Sequence, residues 1–239
     1  MNAATRPHAL VFGLSADPPH NGHVQVVQAA CRWLKQQDRT PTRILIVPVG
    51  KINPINGKYK ASASFWHRFH MCQRAFEPLV GSSPYAVQIM DIEWQRIQAG
   101  CAHNTTWDTL NTLAHTHLWH ESVTLLLSAD HFASDNPAFF RWHRWQELMA
   151  RADGLIASRP GYHVSETTWA IVQKQAGDAG RQWQYLQTST CAIASRQIRQ
   201  WLNSQDALAI KKAKSFLPET VFAYVADNAL YGLPERTSR

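Results

Sequence analysis

Short apolar runs alternate along this chain with longer stretches in which apolar residues return every three or four positions. The first pattern reads as buried strand and the second as amphipathic helix. Residues 9–12 form an apolar run, and residues 13–19 break it with turn formers. Asn21 can cap a helix, and Val24, Val27, Ala30, Cys31 and Leu34 repeat after it at helical spacing, to about Gln36. Residues 43–47 read as a second strand, stopped by Pro48, and residues 63–76 as a helix ended by Pro78. Residues 85–92 alternate like a strand, 105–118 repeat like a helix, and 123–127 form the next buried strand. A Trp/Phe-rich helix over 139–149, a short strand over 154–157, a polar helix over 166–175 and a last strand over 184–187 follow. Residues 195–202 and 218–231 read as closing helices, the latter with Pro218 in its first turn.

Strands that alternate with helices demand crossover connections. The expectation is therefore an α/β fold: a doubly wound, mainly parallel sheet with helices on both faces and a small helical C-terminal part. Residues 9–231 read as one domain, its C-terminal helical part at about 193–231, between tails at 1–8 and 232–239. Ligands of such sheets bind where strands end, which singles out the loops at 13–20, 48–60, 93–105, 128–135 and 158–162.

Composition changes this picture only a little. At 239 residues the chain can bury a sizeable core, and only 17% of residues are charged. Ten tryptophans imply that several line the core or a flat-ligand pocket. Cys31, Cys72, Cys101 and Cys191 lie far apart, so neither a zinc site nor a redox pair is indicated. No signal peptide or membrane span is visible, and a cytoplasmic setting with free thiols is expected. The net charge of +7 suits anionic ligands. Its lysines and arginines are scattered rather than striped, which ranks a nucleic-acid binder last.

The chemistry concentrates where the first strand meets the first helix. A polar loop leading into a helix N-terminus collects unpaired N–H groups and the positive end of the helix dipole, a natural phosphate site. His20 and His23 are three apart and can face one anion, and Gly22 lets a ligand approach the backbone.

Several stretches in order then resemble the bacterial nicotinate mononucleotide adenylyltransferases, members of the H-x-G-H nucleotidyltransferase superfamily. Phe12-Gly-Leu-Ser-Ala-Asp-Pro-Pro-His-Asn-Gly-His23 is similar to that family's G-G-(S/T)-F-D-P-x-H-x-G-H. Glu93 with Asn104-Thr-Thr-Trp-Asp-Thr-Leu110, Ser128-Ala-Asp130, Trp142-His-Arg-Trp-Gln-Glu-Leu148 and Ser158-Arg-Pro-Gly-Tyr162 resemble further family segments. So do Ile193-Ala-Ser-Arg-Gln-Ile-Arg199, Leu217-Pro-Glu219 and Tyr224-Val-Ala-Asp-Asn-Ala-Leu-Tyr231.

The resemblance implies a Rossmann-like fold and attack of a mononucleotide phosphate on the α-phosphorus of ATP, with pyrophosphate released. It implies that His20, His23 and Arg199 are catalytic. ATP would be bound by Gly13, Leu14, Ser15, His20, Gly22, His23, Asp130, Ser195, Arg196 and Arg199. The pyridine mononucleotide would use Lys58, Thr106, Trp142 and Arg159. Mg²⁺ would bridge ATP phosphates, with no metal site on the protein itself. Nucleic acid and membrane are not expected partners, and the sequence leaves oligomeric state open, a homo-oligomer included.

The pattern is broken in places. Leu14 stands where the family has a second Gly, Ala16 where it has Phe, and Ala194 and Arg196 where it has Ser and Thr. The loop at 51–58 lacks the family's P-P-H-K, with Lys58 able to supply a charge. These changes keep two other readings open: a nicotinamide mononucleotide or another phosphate acceptor as substrate, and a catalytically weak nucleotide-binding regulatory module.

Overall fold

The computed structural model describes residues 7–51, 63–81, 85–101, 104–116, 122–188 and 193–234. Its sheet contains β1 (His8–Leu14), β2 (Arg43–Pro48), β3 (Ala86–Ile89), β4 (Ser122–Ser128), β5 (Asp153–Ala157) and β6 (Trp183–Leu186). They lie in the order β3-β2-β1-β4-β5-β6, and every pair is parallel. This is the doubly wound, Rossmann-like arrangement. Its connections run in opposite directions from β1, so the crevice at the switch point opens between the ends of β1 and β4.

Side-chain alternation divides the core in two. Leu10, Phe12, Leu14, Ile44 and Ile46 face one layer, with α1 (Asn21–Gln36), α2 (Phe65–Gly81) and the C-terminal helices α7 (Ser195–Asn203), α8 (Ala207–Phe216) and α9 (Glu219–Asp227). Ala9, Val11, Leu45, Val47 and Leu125 face the other, with α3 (Ile92–Gln98), α4 (Thr106–Thr116), α5 (Trp145–Arg151) and α6 (Glu166–Asp178). β5 needs Gly154: a Cβ there would lie 2.2 Å from the Trp183 indole, which β6 buries against it.

Several elements differ from the sequence expectation. His8 already belongs to β1 and is buried, not part of a loose tail. It bonds to Ser122 Oγ at 2.7 Å and Thr124 Oγ1 at 3.0 Å. Leu233, past the expected domain end, is buried too. Pro78 does not end α2, which continues to Gly81. The proline withholds an amide from the carbonyl of Arg74 one turn earlier, and the Thr220 hydroxyl donates to that carbonyl instead, at 3.2 Å. The strand expected over 85–92 stops at Ile89, and the chain enters α3. The helix expected over 139–149 is split into a 3₁₀ turn (Ala138–Arg141) and α5, because Trp142 is extended and Arg144 is left-handed at φ 54°. The Arg144 guanidinium lies over the Trp107 ring at 4.8 Å, a contact that holds this break. α8 answers no expected element, and α9 ends at Asp227, before a 3₁₀ turn at Leu230–Gly232. Pro218 is the N-cap of α9 rather than a first-turn residue.

Candidate active site

β1 runs into the loop that delivers His20. That residue, not Asn21, is the N-cap of α1; Asn21 is the first helical residue, and its side-chain Nδ2 donates to the Ser215 carbonyl at 3.4 Å. The His20 backbone N–H donates to His23 Nδ1 at 3.1 Å, and the two imidazoles lie against each other with centroids 3.7 Å apart and planes tilted by 30°. An Nδ1 that accepts cannot carry the proton, so neutral His23 holds it on Nε2, a donor for an anionic ligand. Burial keeps both rings neutral. It drives His20 well below the ordinary imidazole value, with the neighbouring His23 and Arg159 adding to it. His23 is pushed down to about 3, by burial first and Arg159 second. The Nδ1 of His20 is buried without a hydrogen-bond partner among the described residues, an unmet polar atom at the heart of the crevice.

Cations flank this pair from two sides. Arg159 follows β5, lies 3.3 Å from Asp130 Oδ2 and 5.4 Å over the Tyr162 ring, and acts electrostatically on both histidines. The geometry thus pairs Arg159 with Asp130, and its charge reaches the histidines. On the other side, α7 brings Ser195 and Arg199 to the β1 loop. Ser195 Oγ donates to the Pro18 carbonyl at 2.9 Å. Arg199 Nη1 donates to the Asp17 carbonyl at 2.5 Å and lies 3.3 Å from Asp17 Oδ2. Arg196, one turn earlier, is exposed.

The altered positions do not fill the crevice. Leu14 and Ala16 are buried in the core layer beneath α1, Ala16 at φ 55°. Gly13, on the opposite face of β1, is exposed, with open space around its missing Cβ. Ala194 is the N-cap of α7 and provides no side-chain cap there.

Thr106 and Trp142 belong to a second group. Thr106 opens α4, where Thr105 and Asp108 cap each other: Asp108 Oδ2 accepts from the Thr105 amide at 3.0 Å and its hydroxyl at 2.8 Å. Trp142 is half-buried and packs edge-on against His131, one residue beyond Asp130, at 5.0 Å. That contact sets Trp142 beside the end of β4. Lys58 lies outside the described residues.

Three polar residues support the site without a role in the sequence reading: Arg68, Asp17 and Glu93. Buried Arg68 donates to the Ser15 carbonyl at 2.8 Å and the Gly50 carbonyl at 3.4 Å, tying the ends of β1 and β2 together. An arginine between Phe65 and Cys72 on an apolar helix face was the available signal. Asp17 is buried and accepts the Ala63 amide at 3.2 Å and the Tyr231 hydroxyl at 2.8 Å on Oδ1. Glu93, matched to a family acid but given no role, accepts from Gly50 N at 2.9 Å, Asn104 Nδ2 at 3.1 Å and Thr109 Oγ1 at 2.9 Å.

Among the described residues no three His, Cys, Asp or Glu side chains converge as a metal cage, and no helix is long and apolar enough to cross a membrane. The crevice offers neutral imidazole donors, a helix N-terminus and two guanidinium groups, a set that binds and stabilises phosphate charge.

Comparison with known proteins agrees with this geometry. The Cytidylyltransferase-like family model matches residues 11–201. A probable nicotinate-nucleotide adenylyltransferase of Trichormus variabilis is 28% identical over 232 residues, 94% of this chain and 97% of that protein. One of the same description from Herminiimonas arsenicoxydans is 33% identical over 162 residues, 68% of this chain and 64% of that protein. Among solved structures, the Plasmodium falciparum nicotinic acid mononucleotide adenylyltransferase complexed with NaAD superposes with a TM-score of 0.69 at 17% identity, covering 95% of this chain and 98% of that one. The same enzyme complexed with APC gives 0.68 over the same shares. The crevice that β1, β4 and α1 build is thus carried on a chain that belongs to the cytidylyltransferase-like family and is a nucleotidyltransferase.

Proposed function

We propose that the protein transfers the adenylyl group of ATP to nicotinate mononucleotide, giving nicotinate adenine dinucleotide and pyrophosphate. The observation that carries this reading is the closely packed, neutral His20–His23 pair at the N-terminus of α1, flanked by Arg159 and Arg199. The names of the relatives supply the pyridine substrate.

A mononucleotide phosphate oxygen attacks the α-phosphorus as a new P–O bond forms. The bond to the β-phosphate bridging oxygen breaks, and its electron pair leaves with pyrophosphate. The attacking oxygen is already anionic, so no general base is required. Positioning and charge stabilisation then provide the catalysis. In this reading His20, Gly22, His23 and the amides of Leu14 and Ser15 receive the ATP phosphates beside the open face of Gly13. Arg199, Ser195 and Arg196 hold the triphosphate from α7. Asp130 binds the ribose or supports the site, and Arg159 adds a second cation beside the histidines. Trp142 stacks on the pyridine ring, with Thr106 and Lys58 on the same substrate. Magnesium enters with ATP as part of that substrate. The setting is taken to be the cytosol, which buried free thiols at Cys31 and Cys72 suit.

Steady-state kinetics with ATP and either mononucleotide tests the substrate. A higher kcat/KM for nicotinate mononucleotide is expected; a preference for the amide form would overturn the named acceptor. The regulatory reading rests on positions 14, 16, 194 and 196. Leu14 and Ala16 face the core rather than the crevice, which favours the enzyme.

A further inference from the structure

We propose that Tyr231, in the C-terminal turn, is a positioning residue that fixes Arg199 for the ATP phosphates by way of Asp17. The inference rests on the reading of Arg199 as a triphosphate ligand.

Asp17 stands three residues before His20, and it is buried between two remote parts of the chain. Its Oδ1 accepts the Tyr231 hydroxyl at 2.8 Å, while Oδ2 lies 3.3 Å from Arg199 Nη1. One carboxylate therefore sets the C-terminal turn and the α7 arginine against the same loop. Both Arg199 contacts with residue 17 use Nη1. A guanidinium carries five N–H donors, so the same group can hold Asp17 and a phosphate oxygen together.

The turn itself is built at a cost. Ala229 and Tyr231 are left-handed at φ 47° and 57°, a strained conformation for a residue with a side chain that surrounding structure must impose. Gly232 follows at φ 84°, and a Cβ there would lie 2.4 Å from Asn203 Oδ1, at the end of α7. The turn thus grips α7 at its last residue and reaches, by Tyr231, the carboxylate that holds Arg199. Burial and the adjacent Asp17 raise Tyr231 well above the ordinary phenol value, so it stays a proton donor to Asp17 at any working pH.

The test is a two-by-two cycle on the full chain: wild type, Tyr231→Phe, Arg199→Ala and the double variant. Affinity for magnesium-ATP is measured by calorimetry and KM by pyrophosphate release. Tyr231→Phe is expected to weaken ATP binding about tenfold, the worth of a hydrogen bond to a charged group. It should leave KM for nicotinate mononucleotide within twofold and the melting temperature within about 5 °C. In the Arg199→Ala background the same substitution should change ATP affinity less than twofold. Asp17→Asn, which keeps the shape, should show the same ATP-selective loss. Equal losses in both backgrounds, or equal losses for both substrates, would mean a merely structural role and overturn the proposal. Wild-type ATP affinity in Arg199→Ala would instead overturn the reading of Arg199 beneath it. Absence of adenylyl transfer by a wild type that still binds ATP would count against the proposed function while the binding cycle decides the role of Tyr231.

Discussion

Lowering the pH from 7.5 to 5 sets three buried histidines against the fold. His8 is pushed down to about 4, by burial first and Arg39 second. His23 is pushed to about 3, and His20 well below its ordinary value. The unfolded chain titrates the same side chains near 6.5. Above that value both states are neutral and the stability is complete. Below it the unfolded chain takes up protons that the folded one refuses, so stability falls as pH drops toward the folded values. At pH 5 each unfolded histidine gains about 2 kcal/mol over a folded one that stays neutral. His8 and His20, at 4% and 5% exposure, count in full. His23 has a partly exposed edge and counts for less. The sum is about 4–6 kcal/mol, set against a whole stability of roughly 5–15 kcal/mol. Urea unfolding followed by tryptophan fluorescence at pH 7.5, 6 and 5 measures it. His8→Gln removes one titrating group and should shrink the loss by about 2 kcal/mol, whatever it does to stability at pH 7.5. A loss under about 1 kcal/mol in the wild type, or an unchanged pH slope in His8→Gln, would show that the histidines are not held neutral by burial.

Three further outcomes are expected. His20→Ala should lower kcat about 100-fold with little change in melting temperature, as removal of a charge-stabilising donor does; full activity would remove His20 from the catalytic set. Gly154→Ala should cost about 3 kcal/mol or more in urea unfolding, because the Trp183 indole cannot yield the room its Cβ needs; a neutral result would contradict the packing of β5 on β6. Glu93→Ala strands the Gly50 amide and removes one of two acceptors from Asn104 Nδ2, which keeps the Glu93 carbonyl, and from Thr109 Oγ1, which keeps the Thr105 carbonyl. It should cost about 3 kcal/mol of stability and raise KM for the mononucleotide more than for ATP, since Asn104 leads into the helix that Thr106 opens; equal KM changes would separate Glu93 from that subsite.

Much of the sheet was legible because its strands are short apolar runs bounded by turn formers, as at residues 43–47, although Pro48 joins β2 as its last residue instead of standing outside it. The phosphate crevice was legible for a related reason. A strand, a polar loop and two histidines at a helix start leave little freedom in where the ligand atoms go. What escaped depended on partners distant in sequence. Pro78 stays inside α2 because Thr220, far along the chain, satisfies the carbonyl it abandons. The alternation up to Ile92 hid the start of α3, which only burial of Ile92 and Glu93 reveals. α8 buries only Ala213 and leaves Leu208 77% exposed, so no apolar stripe marks it in the sequence. Its start was nevertheless signalled by Asp206, which accepts from the amides of Leu208 and Ala209. The link between Tyr231 and Asp17 spans 214 positions and has no local signature.

On the proposed function, the His20–His23 crevice carries adenylyl transfer to nicotinate mononucleotide. The most direct measurement is pyrophosphate release from magnesium-ATP with that mononucleotide, coupled to chromatographic detection of the dinucleotide. Stoichiometric pyrophosphate and nicotinate adenine dinucleotide, abolished in the His20→Ala, His23→Ala double variant, is the predicted result. Tight ATP binding with no pyrophosphate released, for this and every other mononucleotide tried, would contradict it.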